Sequence, residues 1–336
     1  MGNALTPPKP ATLAAPKTLL EAVKVYSDPK ACFDLMVEIR WPDGVACPRC
    51  SSERVTLFAN RPMFKCNACK KQFSVKVGTI FEDSPLGLDK WLPALWLLAN
   101  CKNGISSCEV ARDLGVTQKT AWFMLHRIRH AIKQGSIEKM DGPVEADETF
   151  IGGLEKNKHE DKKLHAGRGP VGKTIVMGVL VPAEEADPKA EVPAKSKVRA
   201  KVIQDTSKKT LHIEIRKEVS AFSELYTDAW KGYRGLTPEY LHRFVDHAVQ
   251  YALGQVHTNG LENFWALLKR CLKGTYISVE PFHLFRYLDE EVFRFNNRAY
   301  TDRDRFLMVL GSVSGKRLLY DTLTRPYEAY YAEVMP

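Results

Sequence analysis

The sequence has no long apolar run. Its most apolar stretch, Leu92–Ala99, is far shorter than the roughly 20 residues that a helix needs to span a bilayer. Met1–Lys17 is Pro, Ala and Lys without the continuous apolar core of a secretory signal. No segment recurs at the spacing of a solenoid repeat. Acid is scarcer than base: 40 Asp and Glu against 49 Lys and Arg leave a formal charge of +9. These absences make the cytoplasm the expected compartment, so the eight cysteines read as thiols or metal ligands rather than disulfides. The basic excess suits a polyanionic partner, because Lys and Arg displace counterions from nucleic-acid phosphates.

At 336 residues the chain has room for two or three domains. Residues 1–18 have the composition of a disordered tail. Residues 19–44 carry apolar positions at helical spacing and form a helical preface; a cysteine-rich module follows at 45–81 and a helical module at 86–137. From 142 to 300 the texture is α/β. Strands are expected at Val144–Ile151, Thr174–Val181, Val198–Asp205, Leu211–Ile215 and Ser223–Thr227, with helix after Asn259. Lys156–Lys173 reads as a basic loop, 182–197 as a surface insertion and 301–336 as a C-terminal extension.

Cys47 and Cys50, then Cys66 and Cys69, form two C-x2-C pairs separated by fifteen residues. Two such knuckles bring four thiolates onto one tetrahedral Zn²⁺ and leave no open position, which makes the ion structural. Cys32, Cys101, Cys108 and Cys271 lack that spacing and read as small buried apolar residues.

In the helical module Ser106 and Glu109 are spaced as a capping box, the first helix stops at Gly115, and Thr117 caps a second. Helix, glycine turn, helix is the pattern of a helix-turn-helix. It places Gln118, Lys119 and Thr120 at the start of the recognition helix, with Arg127 and Arg129 available for phosphates. An αα-hairpin that only packs is the alternative.

The chemistry is expected in three acids. Asp147 lies inside the strand Val144–Ile151, where alternation puts Glu145, Asp147 and Thr149 on one face and Glu148 on the other. A carboxylate there costs free energy unless it is paired or binds a metal. Asp228 follows an apolar strand, and Glu262 opens a helix on which Lys269, seven residues on, shares its face. Three such acids can hold two divalent cations, Mg²⁺ being suited by its preference for oxygen, and so support in-line phosphodiester displacement. His247 and His257 lie near the third acid in sequence. Trp230 and Trp265 stand beside the acids and are expected to pack.

Cys47–Cys69, Val144–Gly153, Thr227–Tyr233, His257–Gly274 and Arg286–Arg298 together resemble the bacterial insertion-sequence transposases, related to the Merlin elements, that carry an N-terminal zinc ribbon and an RNase H-like DDE domain. The resemblance implies an α/β RNase H-like domain at 142–300 that cleaves DNA at element ends and transfers the freed 3′ end to target DNA. It implies Asp147, Asp228 and Glu262 as ligands of catalytic Mg²⁺ or Mn²⁺, with Asn259 as an auxiliary. Lys269 and Arg270 would contact DNA. The same resemblance implies a homo-oligomer on DNA and a nucleoid-associated protein. A metal-dependent nuclease and a DNA-binding regulator derived from a transposase are the alternatives.

Overall fold

A computed structural model describes residues 16–133, 138–153, 160, 172–183, 195–245 and 258–325. Most of the N-terminal tail, nearly all of the basic loop, most of the 182–197 insertion, His247, His257 and the last eleven residues lie outside the described residues. Contacts divide the chain into two compact units, one within 134–299 and one formed by 3–133 together with 300–336.

The second unit begins with two helices rather than one. Thr18 caps α1 (Leu19–Tyr26), and Asp28, followed by Pro29 in the first turn, caps α2 (Pro29–Arg40). The cysteine-rich module is a three-stranded antiparallel sheet of β1 (Val55–Leu57), β2 (Phe64–Cys66) and β3 (Gln72–Phe73). Its core is shared with α2: Phe33 stacks on Phe64 with ring centroids 5.8 Å apart, and Trp41 meets Phe64 and Phe73 edge-on. The preface and the ribbon are therefore one packing unit.

Three helices follow, α3 (Leu88–Asn100), α4 (Ser107–Leu114) and α5 (Gln118–Ala131). The Ser106–Glu109 capping box is present, Gly115 ends α4 in the left-handed conformation, and Thr117 caps α5. Residues 301–325 complete this unit through α9 (Asp302–Gly311) and the short α10 (Tyr320–Thr324). Phe306 of α9 packs against both Tyr26 and Trp96. The Ile80 amide donates to the Val313 carbonyl at 3.0 Å.

Arg127, expected to meet phosphate, is instead buried at 4% exposure. Its Nε donates to the Leu318 carbonyl at 3.1 Å and its Nη2 to the Glu82 carbonyl at 2.9 Å. The guanidinium ties the returning C-terminal segment to the helical core. Arg129 is also buried. Of the four cysteines outside the ribbon, Cys32 and Cys271 are buried, Cys101 is half-buried, and Cys108 is exposed on α4, against expectation.

The other unit is built on a five-stranded sheet of β4 (Val144–Ile151), β5 (Thr174–Val181), β6 (Lys197–Ile203), β7 (Glu224–Asp228) and β8 (Leu241–Val245), in the order β6-β5-β4-β7-β8. The β4–β5 and β5–β6 pairs are antiparallel, while β4–β7 and β7–β8 are parallel. Three antiparallel strands followed by two parallel ones form the RNase H-like sheet. Helix α6 (Lys208–Glu218) contributes Leu211 and Ile215 to the core on one face; α7 (Asn259–Cys271) and α8 (Leu284–Asn296) supply Leu261, Trp265, Leu268 and Leu288 on the other.

Two expectations change here. Leu211–Ile215 is not a strand but the middle of α6: Leu211 and Ile215 are one helical turn apart and buried, and Ile213 between them is 39% exposed. Ser207 accepts from the Thr210 amide and starts that helix. The fifth strand is β8, an edge strand whose Leu241 and Phe244 are exposed. It offers no apolar–polar alternation to find.

Replacing Arg127 with Met leaves two buried carbonyls without donors. At about 1.5–3 kcal/mol per bond to a charged donor, Arg127→Met should destabilise the zinc and helical unit by several kcal/mol, read as a lower urea midpoint. The unit of 134–299 should unfold as in the wild type.

Candidate active site and zinc centre

Asp147 sits mid-strand on β4, opposite Gly178 of β5 on one side. On the other side β4 pairs with β7 as Val144 with Leu225 and Glu145 with Tyr226; the same offset relates Asp147 to Asp228. The two acids thus lie two residues beyond the last residues paired between these adjacent parallel strands.

The Asp147 carboxylate is held by Trp265 of α7, whose Nε1–H donates to Oδ2 at 2.9 Å. Gly178 makes this approach possible, since a Cβ there would lie 2.7 Å from the Trp265 ring. Burial pushes the Asp147 carboxyl from 3.8 up to about 6, opposed by the Trp265 hydrogen bond and assisted by the charges of Asp228 and Glu262. The three acids therefore share one electrostatic site. Asp228 ends β7, and its Oδ1 accepts from the Trp230 amide at 3.0 Å, which orients it within a tight turn. Glu262 lies in the first turn of α7 and is exposed. Asn259 opens the same helix, also exposed.

Two further acids flank Asp147, one on each face of β4. Glu145 is buried, and its Oε2 accepts from the Leu261 amide at 2.9 Å. A carboxylate at the amino end of a helix satisfies a free N–H and meets the positive end of the dipole. Gly260 allows this contact, because a Cβ there would come within 2.8 Å of the same carboxylate. On the opposite face the Tyr233 hydroxyl donates to Glu148 Oε1 at 2.6 Å. Burial drives the Glu148 carboxyl up to about 8, against the Tyr233 hydrogen bond.

Trp265 and Glu145 hold α7 in place, and neither role was expected from sequence. Alternation puts Glu145 on the face of Asp147, but nothing local shows that its partner is a helix over a hundred residues away. Lys269 and Arg270 occupy the last turn of α7, half-buried and exposed respectively. Gln118 and Lys119 are exposed at the start of α5, where the Lys119 ammonium lies 4.8 Å from the Tyr320 ring; Thr120 is half-buried.

In the ribbon, the sulfurs of Cys47, Cys50, Cys66 and Cys69 lie within 4.8 Å of one another. The Cys47–Cys69 and Cys50–Cys66 separations are 3.8 and 3.6 Å. A tetrahedron with Zn–S bonds of about 2.3 Å has edges of about 3.8 Å, so the cluster has the size of a zinc site. The Cys69 amide pulls the Cys66 thiol down to about 6, which favours the thiolate that zinc requires. Among the described residues, this is the one cluster of three or more Cys, His or acidic ligands that converges so tightly.

Comparison with known proteins identifies both parts. Residues 139–296 match the ISXO2-like transposase domain, and residues 27–72 match the transposase zinc-ribbon domain. A transposase-like protein of Haemophilus influenzae is 34% identical over 104 residues, covering 84% of that relative and 31% of this chain. The chain belongs to the ISXO2-like transposases. A protein in transposable element ISH50 of Halobacterium salinarum is 24% identical over 265 residues, 74% of this chain and 85% of the relative. The matched domain contains all three acids and both clamps on α7, and the matched ribbon contains all four cysteines. No helix among the described residues of the transposase is long and apolar enough to cross a membrane.

Cys66→Ser should abolish zinc binding, read by elemental analysis of the purified transposase, and unfold the ribbon with it. Asp147 gives a second prediction. Its carboxyl titrates higher in the fold than in the unfolded chain, so the metal-free fold loses stability as pH rises from about 4 to about 6 and stays penalised above. In magnesium-free buffer near pH 7, Asp147→Asn should therefore stabilise the domain by roughly 2–3 kcal/mol, at about 1.4 kcal/mol per pH unit between the two midpoints. The gain should vanish near pH 4 in the same thermal-melting assay.

Proposed function

We propose that this transposase binds the ends of its element, cuts DNA there and joins the freed 3′ end to target DNA, at a site formed by Asp147, Asp228 and Glu262. The observation that carries this is that the charges of Asp228 and Glu262 both act on the buried Asp147 carboxyl, within a domain of the ISXO2-like family. Three carboxylates make a donor set that fits hard divalent cations, with no need for sulfur or nitrogen ligands. Mg²⁺ or Mn²⁺, when bound there as a pair, supplies Lewis acidity and charge neutralisation at the reacting phosphate.

The chain supplies the geometry. Trp265 fixes one oxygen of Asp147, and the Trp230 amide fixes one oxygen of Asp228. Glu145 anchors the amino end of α7, so Glu262 and Asn259 are presented from a helix that cannot slide. Lys269 and Arg270, two turns on, are placed to hold DNA phosphate. In the other unit Gln118, Lys119 and Thr120 at the start of α5 read the element end, and the zinc ribbon supports that surface without taking part in the chemistry. Joining requires two ends held together, hence a homo-oligomer assembled on DNA, working on the chromosome in the cytoplasm.

The test is strand transfer with purified protein, Mg²⁺ and DNA carrying the native element ends. Wild type should yield joined products, and Asp228→Asn should lower their rate by at least a thousandfold while binding the ends with similar affinity. Cleavage without joining would replace this function with that of a nuclease. Specific binding with no chemistry from the wild type would make the protein a regulator.

A further inference from the structure

Helix α6 carries a cluster of cations that the catalytic site does not use. Lys208, Lys209, His212, Ile213 and Arg216 line an open groove of about 570 Å³. Lys208, His212 and Arg216 are four residues apart and share one helical face. Two features are costly for a purely structural helix. Lys208 and Lys209 occupy the first turn, which holds no acid, although the positive end of the helix dipole disfavours cations there. His212 is buried, and both Arg216 and Lys208 hold its imidazole below the usual range after burial itself. Two acids lie nearby: Glu239 takes a bidentate pair from Arg216, with bonds of 2.7 and 2.6 Å, and Asp205 accepts from the Ser207 amide at 2.8 Å just before the helix. Ser207 and Asp205 already cap the amino end of this helix, so it is the row of cations along the groove that is complementary to phosphate.

The groove also adjoins the reacting centre. Trp230 donates through its amide to Asp228 and through Nε1 to the Thr206 carbonyl, two residues before Lys208. Gly232 lets that turn press on α6, as a Cβ there would lie 2.7 Å from Leu211 Cδ1. Lys208 reaches over Gly235 of the same turn: a Cβ there would lie 2.8 Å from its ammonium. The segment that follows Asp228 thus touches the amino end of α6.

We propose that the α6 groove binds the phosphodiester backbone of DNA beside the active site, with Lys208 and Lys209 as its principal phosphate contacts. This rests on the reading of the chain as a DNA-joining enzyme, and it adds a contact surface apart from α5 and from the end of α7. The contacts are to backbone, so they position DNA without reading its sequence.

The test uses the full-length protein and a labelled random-sequence duplex, with affinity measured across a salt series. Two lost phosphate contacts flatten the slope of log affinity against log salt by about 1.8. Lys208→Ala/Lys209→Ala should show that change and slower strand transfer, and Lys208→Glu/Lys209→Glu should weaken binding further. Lys217→Ala, which removes a charge paired with Glu214 outside the groove, should leave the slope unchanged. An unchanged slope in the double variant, with a native circular dichroism spectrum, overturns the proposal. So does an equal loss in Lys217→Ala. Wild-type protein that binds DNA with the expected groove dependence but never cleaves it would sink the joining function and leave the groove standing.

Discussion

The unit of 134–299 depends on how it accommodates one carboxylate in the middle of a sheet. Asp147 is on a central strand, between antiparallel β5 and parallel β7, where an uncompensated charge is expensive. The compensation in the fold itself is the indole N–H of Trp265, brought close by the absence of a side chain at Gly178, with a smaller contribution from the Glu148 backbone. These bonds are weaker than the charge they meet, and Asp228 and Glu262 add repulsion instead of relief. The fold carries a standing electrostatic cost at this point. Such costs persist where function requires them.

The alternation of β4 distributes three acids into three different jobs. Glu145 and Asp147 face α7, the first to cap it and the second to receive its tryptophan; Glu148 turns to the opposite core and is satisfied by Tyr233. The environments differ enough to separate the groups chemically. Glu145 is committed to a helix end, and burial keeps Glu148 protonated near neutrality in spite of the hydrogen bond that Tyr233 donates to it. Asp147 shares its field with acids from two other elements, Asp228 of β7 and Glu262 of α7. Identity as Asp or Glu says little about role here; the face of the strand and the element opposite decide it.

What could be read from the sequence was what is encoded locally. The C-x2-C spacing, the Ser106–Glu109 capping box, the glycine stop at 115 and the apolar strands β4 and β5 all depend on residues within a few positions of each other. The family was legible because whole stretches around the acids and cysteines resemble its members. Failures came where a local pattern was ambiguous or the partner was remote. Leu211–Ile215 alternates like a strand, yet its flanks of Lys and Glu and its Ser207 cap belong to a helix. Arg127 looked available because its partners are backbone carbonyls at 82 and 318, which no spacing rule reaches. The same holds for Trp265, whose acceptor is 118 residues away.

These remote contacts matter most for the third acid. Asp147 and Asp228 are placed by β-sheet register, a backbone property that tolerates most side-chain changes nearby. Glu262 has no such guarantee, because a helix packed on a sheet can rotate or slide unless side chains stop it. Helix α7 is stopped at three points: by Glu145 at its first turn, by Trp265 in its middle, and at its end by Cys271, which accepts from Arg294 of α8. Arg294 is itself buried between Glu290 and Glu291, and Glu290 also accepts from Tyr276 just beyond α7. A buried ion pair of this kind adds little net stability, since desolvation offsets its attraction. Its value is geometric: it fixes the far end of the helix that carries Glu262.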